Sequence, residues 1–220
     1  MSHSPRSFAF AGGAVVFALG DLLRRTVDAG PSGPVALSRA AHDHATVWQL
    51  AAVAMIIGSV LMLPLVAGVV SGATGRGRLP LRIGGSLFAA GLLASIGHAV
   101  AYFGLASVFG STEDLSSAQL GRLDHASENQ PLLTAIIVVF ILGMLLGQLI
   151  WAVGLWRSGA APVWLLPVVL VEAVAGSSSS VGAGFVGLVA WIGVGLIVGG
   201  FVTARRVGRP EVADPALAQA

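Results

Sequence analysis

The chain has 220 residues, 55% of them hydrophobic and only 10% charged, with a mean hydropathy of +0.88, whereas a soluble domain carries about 25% charged residues. Its positive charges are all arginines, 12 against 10 acids for a net charge of +2, which is too little and too scattered for a nucleic-acid surface. With no cysteine, disulfide and thiolate chemistry are excluded. The composition predicts an all-α polytopic transmembrane helix bundle, a single domain over residues 1–204 followed by a short polar tail over 205–220.

A spanning helix needs roughly 20 mostly apolar residues to cross about 30 Å of hydrocarbon. The first run, Ser7 to Leu23, is short and contains Asp21. A cleaved leader is its rival reading, but Asp21 and the Arg24-Arg25 pair stand where a small-residue cleavage site belongs. The second run, Ala45 to Gly72, has no charge, and the third, Ile83 to Gly110, has only His98. The fourth extends from Pro131 to Trp156-Arg157. The fifth, Ala160 to Gly176, carries Glu172, Pro162 and Pro167, and the sixth runs from Val181 to Ala204 before Arg205-Arg206. Six spans are expected, or five if the first run only lies in the interface.

Arginine placement sets the expected orientation. Arg76, Arg78 and Arg82 share a loop without an acid, and Arg6, Arg157, Arg205, Arg206 and Arg209 fall on the same side. Opposite them, Arg24, Arg25, Arg39 and Arg122 are diluted by Asp28, Asp43, Glu113, Asp114, Asp124 and Glu128. Both termini are then cytoplasmic in a multi-pass protein of the cell membrane, although Arg24-Arg25 dissents.

Ionisable residues inside spans are candidate functional residues by default. Asp21 precedes Arg24 and Arg25 by three and four residues, so a plain ion pair along one helix face competes with a chemical role. Glu172 has no such local partner; another helix must satisfy it, or it holds its proton. His98 has Tyr102 four residues on and on the same face, and its two readings are a packing residue and a participant in chemistry. One mid-span histidine does not make a haem site. His42, His44 and His125 flank spans without any strong metal spacing. No metal and no cofactor are expected.

Aromatic and small residues complete the pattern. Trp151, Trp156 and Trp164 bracket Arg157 like an interfacial belt, and Trp48 is placed similarly at the other side. Trp191 is too deep for anchoring and either packs or lines a pocket, while Trp48 and Gln49 point along their helix toward the side where Asp21 and Glu172 lie; these three are the candidate substrate-binding residues. The small-residue pairs Gly143/Gly147 and Gly195/Gly199 serve contacts within one bundle or in a homo-oligomer.

Sparse intramembrane acids among apolar and aromatic walls suit protonation of a hydrocarbon, with Glu172 as donor, Asp21 as second acid or final base, and His98 and Tyr102 as further catalytic candidates. A small proton-coupled transporter and a non-catalytic membrane subunit or immunity protein are the alternatives. In size, span count and the acids Asp21 and Glu172, the chain resembles the small integral-membrane terpene cyclases of bacterial indole- and diketopiperazine-terpenoid pathways. It equally resembles multispanning proteins common in high-GC actinobacteria, through Gly154-Leu155-Trp156-Arg157-Ser158-Gly159 followed by Pro162 and Trp164. The cyclase resemblance implies a lipophilic, prenylated substrate, metal-independent protonation and an isomerase or lyase reaction. Aromatic residues at 7%, with one tyrosine, depart from that pattern.

Overall fold

In hydrocarbon a backbone must pair all its polar groups internally, so the charge-free runs become helices. The structure, a computed structural model, describes residues 5–28, 33–111, 116–176 and 178–207, with the backbone alone at 128 and 201–207. Among these residues there are eight helices and no strand. They are α1 (Pro5–Asp28), α2 (Pro34–Asp43), α3 (Ala45–Ser71), α4 (Arg78–Gly110), α5 (Ser117–Glu128), α6 (Pro131–Arg157), α7 (Leu165–Gly176) and α8 (Val181–Val207). Five of them, α1, α3, α4, α6 and α8, are long and apolar enough to cross a membrane. The protein is a multi-pass helical membrane protein.

Several boundaries differ from expectation for local reasons. Helix α1 continues past Leu23 to Asp28 because Asp21, Arg24, Arg25 and Asp28 pair along its own surface at helical spacing. Helix α4 starts at Arg78, with Pro80 tolerated in its first turn. At the end of α6, Gly159 adopts a left-handed φ of 68°, and Ala160 N–H donates to Leu155 O at 2.8 Å. This closing motif delays α7 from Ala160 to Leu165. The polar connections also hold more order than expected: α2 and α5 are short helices, α5 opening with a reciprocal Ser116–Gln119 capping box.

Contacts between glycine backbones and neighbouring helices order the bundle. A Cβ added at Gly58 on α3 would lie 2.6 Å from Phe17 N on α1, and one at Gly143 on α6 would lie 2.4 Å from Gly91 Cα on α4. Gly195 and Gly199 of α8 face Ala11 and Ser7 of α1, each 3.2 Å from the nearest atom. Both glycine pairs seen in the sequence therefore serve contacts inside this bundle.

These contacts also fix the direction of each helix. Arg6, Gly68, Gly77, Arg157 and Gly199 gather at one end, here called the arginine end. Arg25, Ser178 and Ser180 meet at the other, as do Trp48 and Phe103. The chain consequently makes six passes between the ends. The fifth is α7, whose 12 helical residues cover only about 18 Å, the remainder being completed by the non-helical segment before it. Arg209, Glu113, Asp114, the tail 208–220 and the side chains of Glu128, Arg205 and Arg206 lie outside the described residues.

Candidate functional site

The end opposite the one named for Arg6 and Arg157 encloses a cavity of about 430 Å³ between α1, α3, α4, α6, α7 and α8. Asp21, Arg24, Arg25, His98, Tyr102 and Glu172 all line it. The sequence places these residues on three different helices, α1, α4 and α7, and the bundle brings them to one chamber. Phe17, Met55, Phe103, Phe140, Met144 and Trp191 supply its apolar wall, with Phe17 and Trp191 in ring contact at 5.4 Å.

The charged groups form a chain along α1. Asp21 Oδ1 accepts from Arg24 at 2.9 Å, and Asp21 Oδ2 accepts from Arg25 Nε at 2.7 Å. Arg24 also pairs with Asp28, whose Oδ2 accepts from Tyr102 O–H at 3.0 Å. Arg25 is 1% exposed and donates to the carbonyls of Ala175, Ser178 and Ser180. It thereby fastens the outgoing end of α7 and the start of α8 to α1. Of the two readings of Asp21, this geometry supports the ion pair, since each oxygen already holds a guanidinium.

Glu172 is satisfied from other helices, as the lack of a local partner required. The Gln148 amide, with its nitrogen facing the two acceptors around it, donates to Met144 O at 2.8 Å and to Glu172 Oε2 at 3.0 Å. Trp191 of α8 lines the same chamber as the carboxyl. Gln148 is 1% exposed and directly follows a turn of π-helix at Gly143–Gly147 in α6. Such turns recur at functional sites because the extra residue re-aims the side chains that follow.

His98 is stacked between Tyr102, at 5.5 Å, and Phe140, at 5.0 Å. Its ring nitrogens make no hydrogen bond among the described residues. Together with Tyr102 it also forms the wall of a second cavity of about 340 Å³, lined by Pro34, Leu37, Asp124 and Ile136 among others.

Other sequence candidates fall elsewhere. Trp48 is fully buried, donates to Phe103 O at 3.1 Å and packs on Tyr102 and Phe103. It is a support behind the cavity wall rather than an interfacial anchor or a lining residue. Gln49 is exposed, away from the cavity. Trp151, expected in the belt, is 1% exposed and packs between Phe10 and Phe88, because its position on α6 faces α1 and α4. Trp156 and Trp164 are half-exposed, as a belt requires. His42, His44 and His125 do not gather; among the described residues no three metal-ligating side chains meet.

Sequence reasoning missed Gln148 and Asp28. A lone amide within a charge-free run is a detectable signal for the first, and the i+4 spacing from Arg24 is one for the second. The site and fold define a multi-pass helical membrane protein with a mostly apolar chamber at one end that gathers a few charged side chains. No family model matches the chain, and comparison with characterised proteins and with solved structures returns no match.

Proposed function

We propose that this protein is an integral-membrane enzyme that cyclises a lipophilic isoprenoid by proton initiation, with Glu172 as the donor. The observation that carries this reading is the charge balance of the chamber. Both of its guanidinium groups are paired with Asp21 and Asp28, whereas Glu172 is hydrogen-bonded by the neutral amide of Gln148. Burial in an apolar wall without a cation partner favours the neutral form of an acid, and a neutral carboxyl beside a hydrophobic substrate is a general acid.

The Glu172 O–H proton passes to a terminal alkene carbon, whose π pair forms the new C–H bond and leaves a tertiary cation. The π pair of a second alkene closes the C–C bond. Loss of a proton from the adjacent carbon to a ring nitrogen of His98 then restores an alkene. Returning that proton to Glu172 leaves substrate and product with the same formula, an isomerisation needing no oxidant. The faces of Phe17, Phe140 and Trp191 stabilise the travelling cation, and Tyr102 orients the histidine by stacking. The arginine end faces the cytoplasm, by the bias of arginine in short loops, and both chain termini lie on that side of the cell membrane.

The test is expression beside a prenyltransferase, with products read by mass and NMR. Wild-type protein yields a cyclised product, and Glu172→Gln yields none at an unchanged protein level. Undiminished turnover by Glu172→Gln overturns the assignment.

A further inference from the structure

At the end of the bundle remote from the chamber, Gly75, Gly77, Arg78, Leu79, Pro80, Arg82 and Arg157 enclose a cleft of about 550 Å³. We propose that this cleft binds the phosphate headgroup of an anionic phospholipid, independently of what the chamber does.

The chain builds the cleft through Gly77, which has a left-handed φ of 85°. A Cβ there would lie 2.7 Å from Gly154 O and 2.8 Å from Ser158 N, so the start of α4 abuts the end of α6. Arg78 and Arg82, four residues apart and therefore on one face of α4, are brought to the same cleft as Arg157 of α6. Like charges at this spacing repel. Among the described residues none of the three pairs with a carboxylate; the ion pairs there belong to Arg24 and Arg25 at the far end. The first turn of α4 adds no acid and no side-chain cap, so the positive end of the helix dipole reinforces the field. Three guanidiniums and a helix start around one cleft match the oxygens of a phosphate.

Position selects the lipid as its source. Trp156 immediately precedes Arg157 in the chain and Trp164 follows it by seven residues; they are 43% and 50% exposed, and half-exposed tryptophans mark the membrane–water boundary. Leu79, 69% exposed, and Pro80 line the same cleft and suit the glycerol and first acyl carbons. Arginines at this level are matched to anionic headgroups.

The test follows thermal unfolding of the full chain in neutral detergent with short-chain phosphatidylglycerol, short-chain phosphatidylcholine or inorganic phosphate. Phosphatidylglycerol is expected to raise the midpoint where the other two do not. The Arg78→Gln/Arg82→Gln/Arg157→Gln variant is expected to need about 100-fold more of it, the combined effect of three interfacial arginines. Arg39→Gln/Arg122→Gln, at the opposite end, is expected to respond as wild type. Equal shifts with phosphatidylcholine or with inorganic phosphate overturn the proposal, the latter in favour of a soluble anion. So does an undiminished response in the triple variant. If that variant does not fold, loss of co-purified anionic lipid in native mass spectra of Arg157→Gln alone decides, and retention counts against the cleft.

Discussion

Gln148 of α6 and Glu172 of α7 are joined by one hydrogen bond, amide nitrogen to Oε2 at 3.0 Å. Both side chains are buried, so removing the amide strands an acceptor in an apolar wall. Gln148→Leu is expected to cost about 1–3 kcal/mol, the desolvation penalty of an unpaired buried group. Adding Glu172→Leu, which removes the partner as well, should recover part of that loss. The check is a double-mutant cycle by thermal unfolding in detergent. Strictly additive single costs would mean that the two groups do not interact.

Arg25 ties three elements together, through Asp21 on its own helix and the carbonyls of Ala175, Ser178 and Ser180 beyond it. Breaking a buried pair from one side leaves the other charge uncompensated, so Arg25→Gln is expected to cost about 3–5 kcal/mol. Arg39→Gln, on the exposed face of α2, should change stability by less than about 0.5 kcal/mol. Folded yield from membranes compares the two directly. Asp21→Asn should follow Arg25→Gln in losing folded protein; full yield with lost activity would instead move Asp21 into the chemistry.

The sequence reveals the passes themselves because a charge-free run has one stable state in lipid, and Ala45–Ser71 and Pro131–Arg157 begin and end within a residue of where charges and turn residues place them. Pairings within one helix are equally legible: Asp21 lies at the correct spacing from both arginines before any fold is known. What the sequence conceals depends on the rotation of one helix against another. Trp151 is an interfacial residue by position, but the contacts of Gly84 with Trp151 N turn it inward. The meeting of Gln148 with Glu172 depends on the π turn at Gly143–Gly147, a register change with no signature of its own.

Close helix contact at Gly91 and Gly143 leaves no room for a side chain on either. Gly143→Ala is expected to destabilise the α4–α6 contact by about 1–3 kcal/mol through overpacking. Gly12→Ala on the exposed side of α1 meets nothing within 4 Å and should be neutral or slightly stabilising, since alanine is the better helix former. Equal melting curves for the two variants would contradict the packing described for α4 and α6.

The six-pass path makes a sharp prediction about α7, because 12 residues of helix are short for the hydrocarbon thickness. Ser158 closes α6 beside Gly77 at the arginine end, and Ser178 contacts Arg25 at the other. The segment between them therefore has to traverse the bundle and cannot turn back within it. The chain lacks cysteine, so Ser158→Cys and Ser180→Cys each introduce a single thiol for labelling in sealed vesicles with a membrane-impermeant maleimide. Labelling from opposite faces is expected, with Gly75→Cys reporting from the same face as Ser158→Cys. Labelling of Ser158→Cys and Ser180→Cys from one face would make α7 a re-entrant segment and leave five passes.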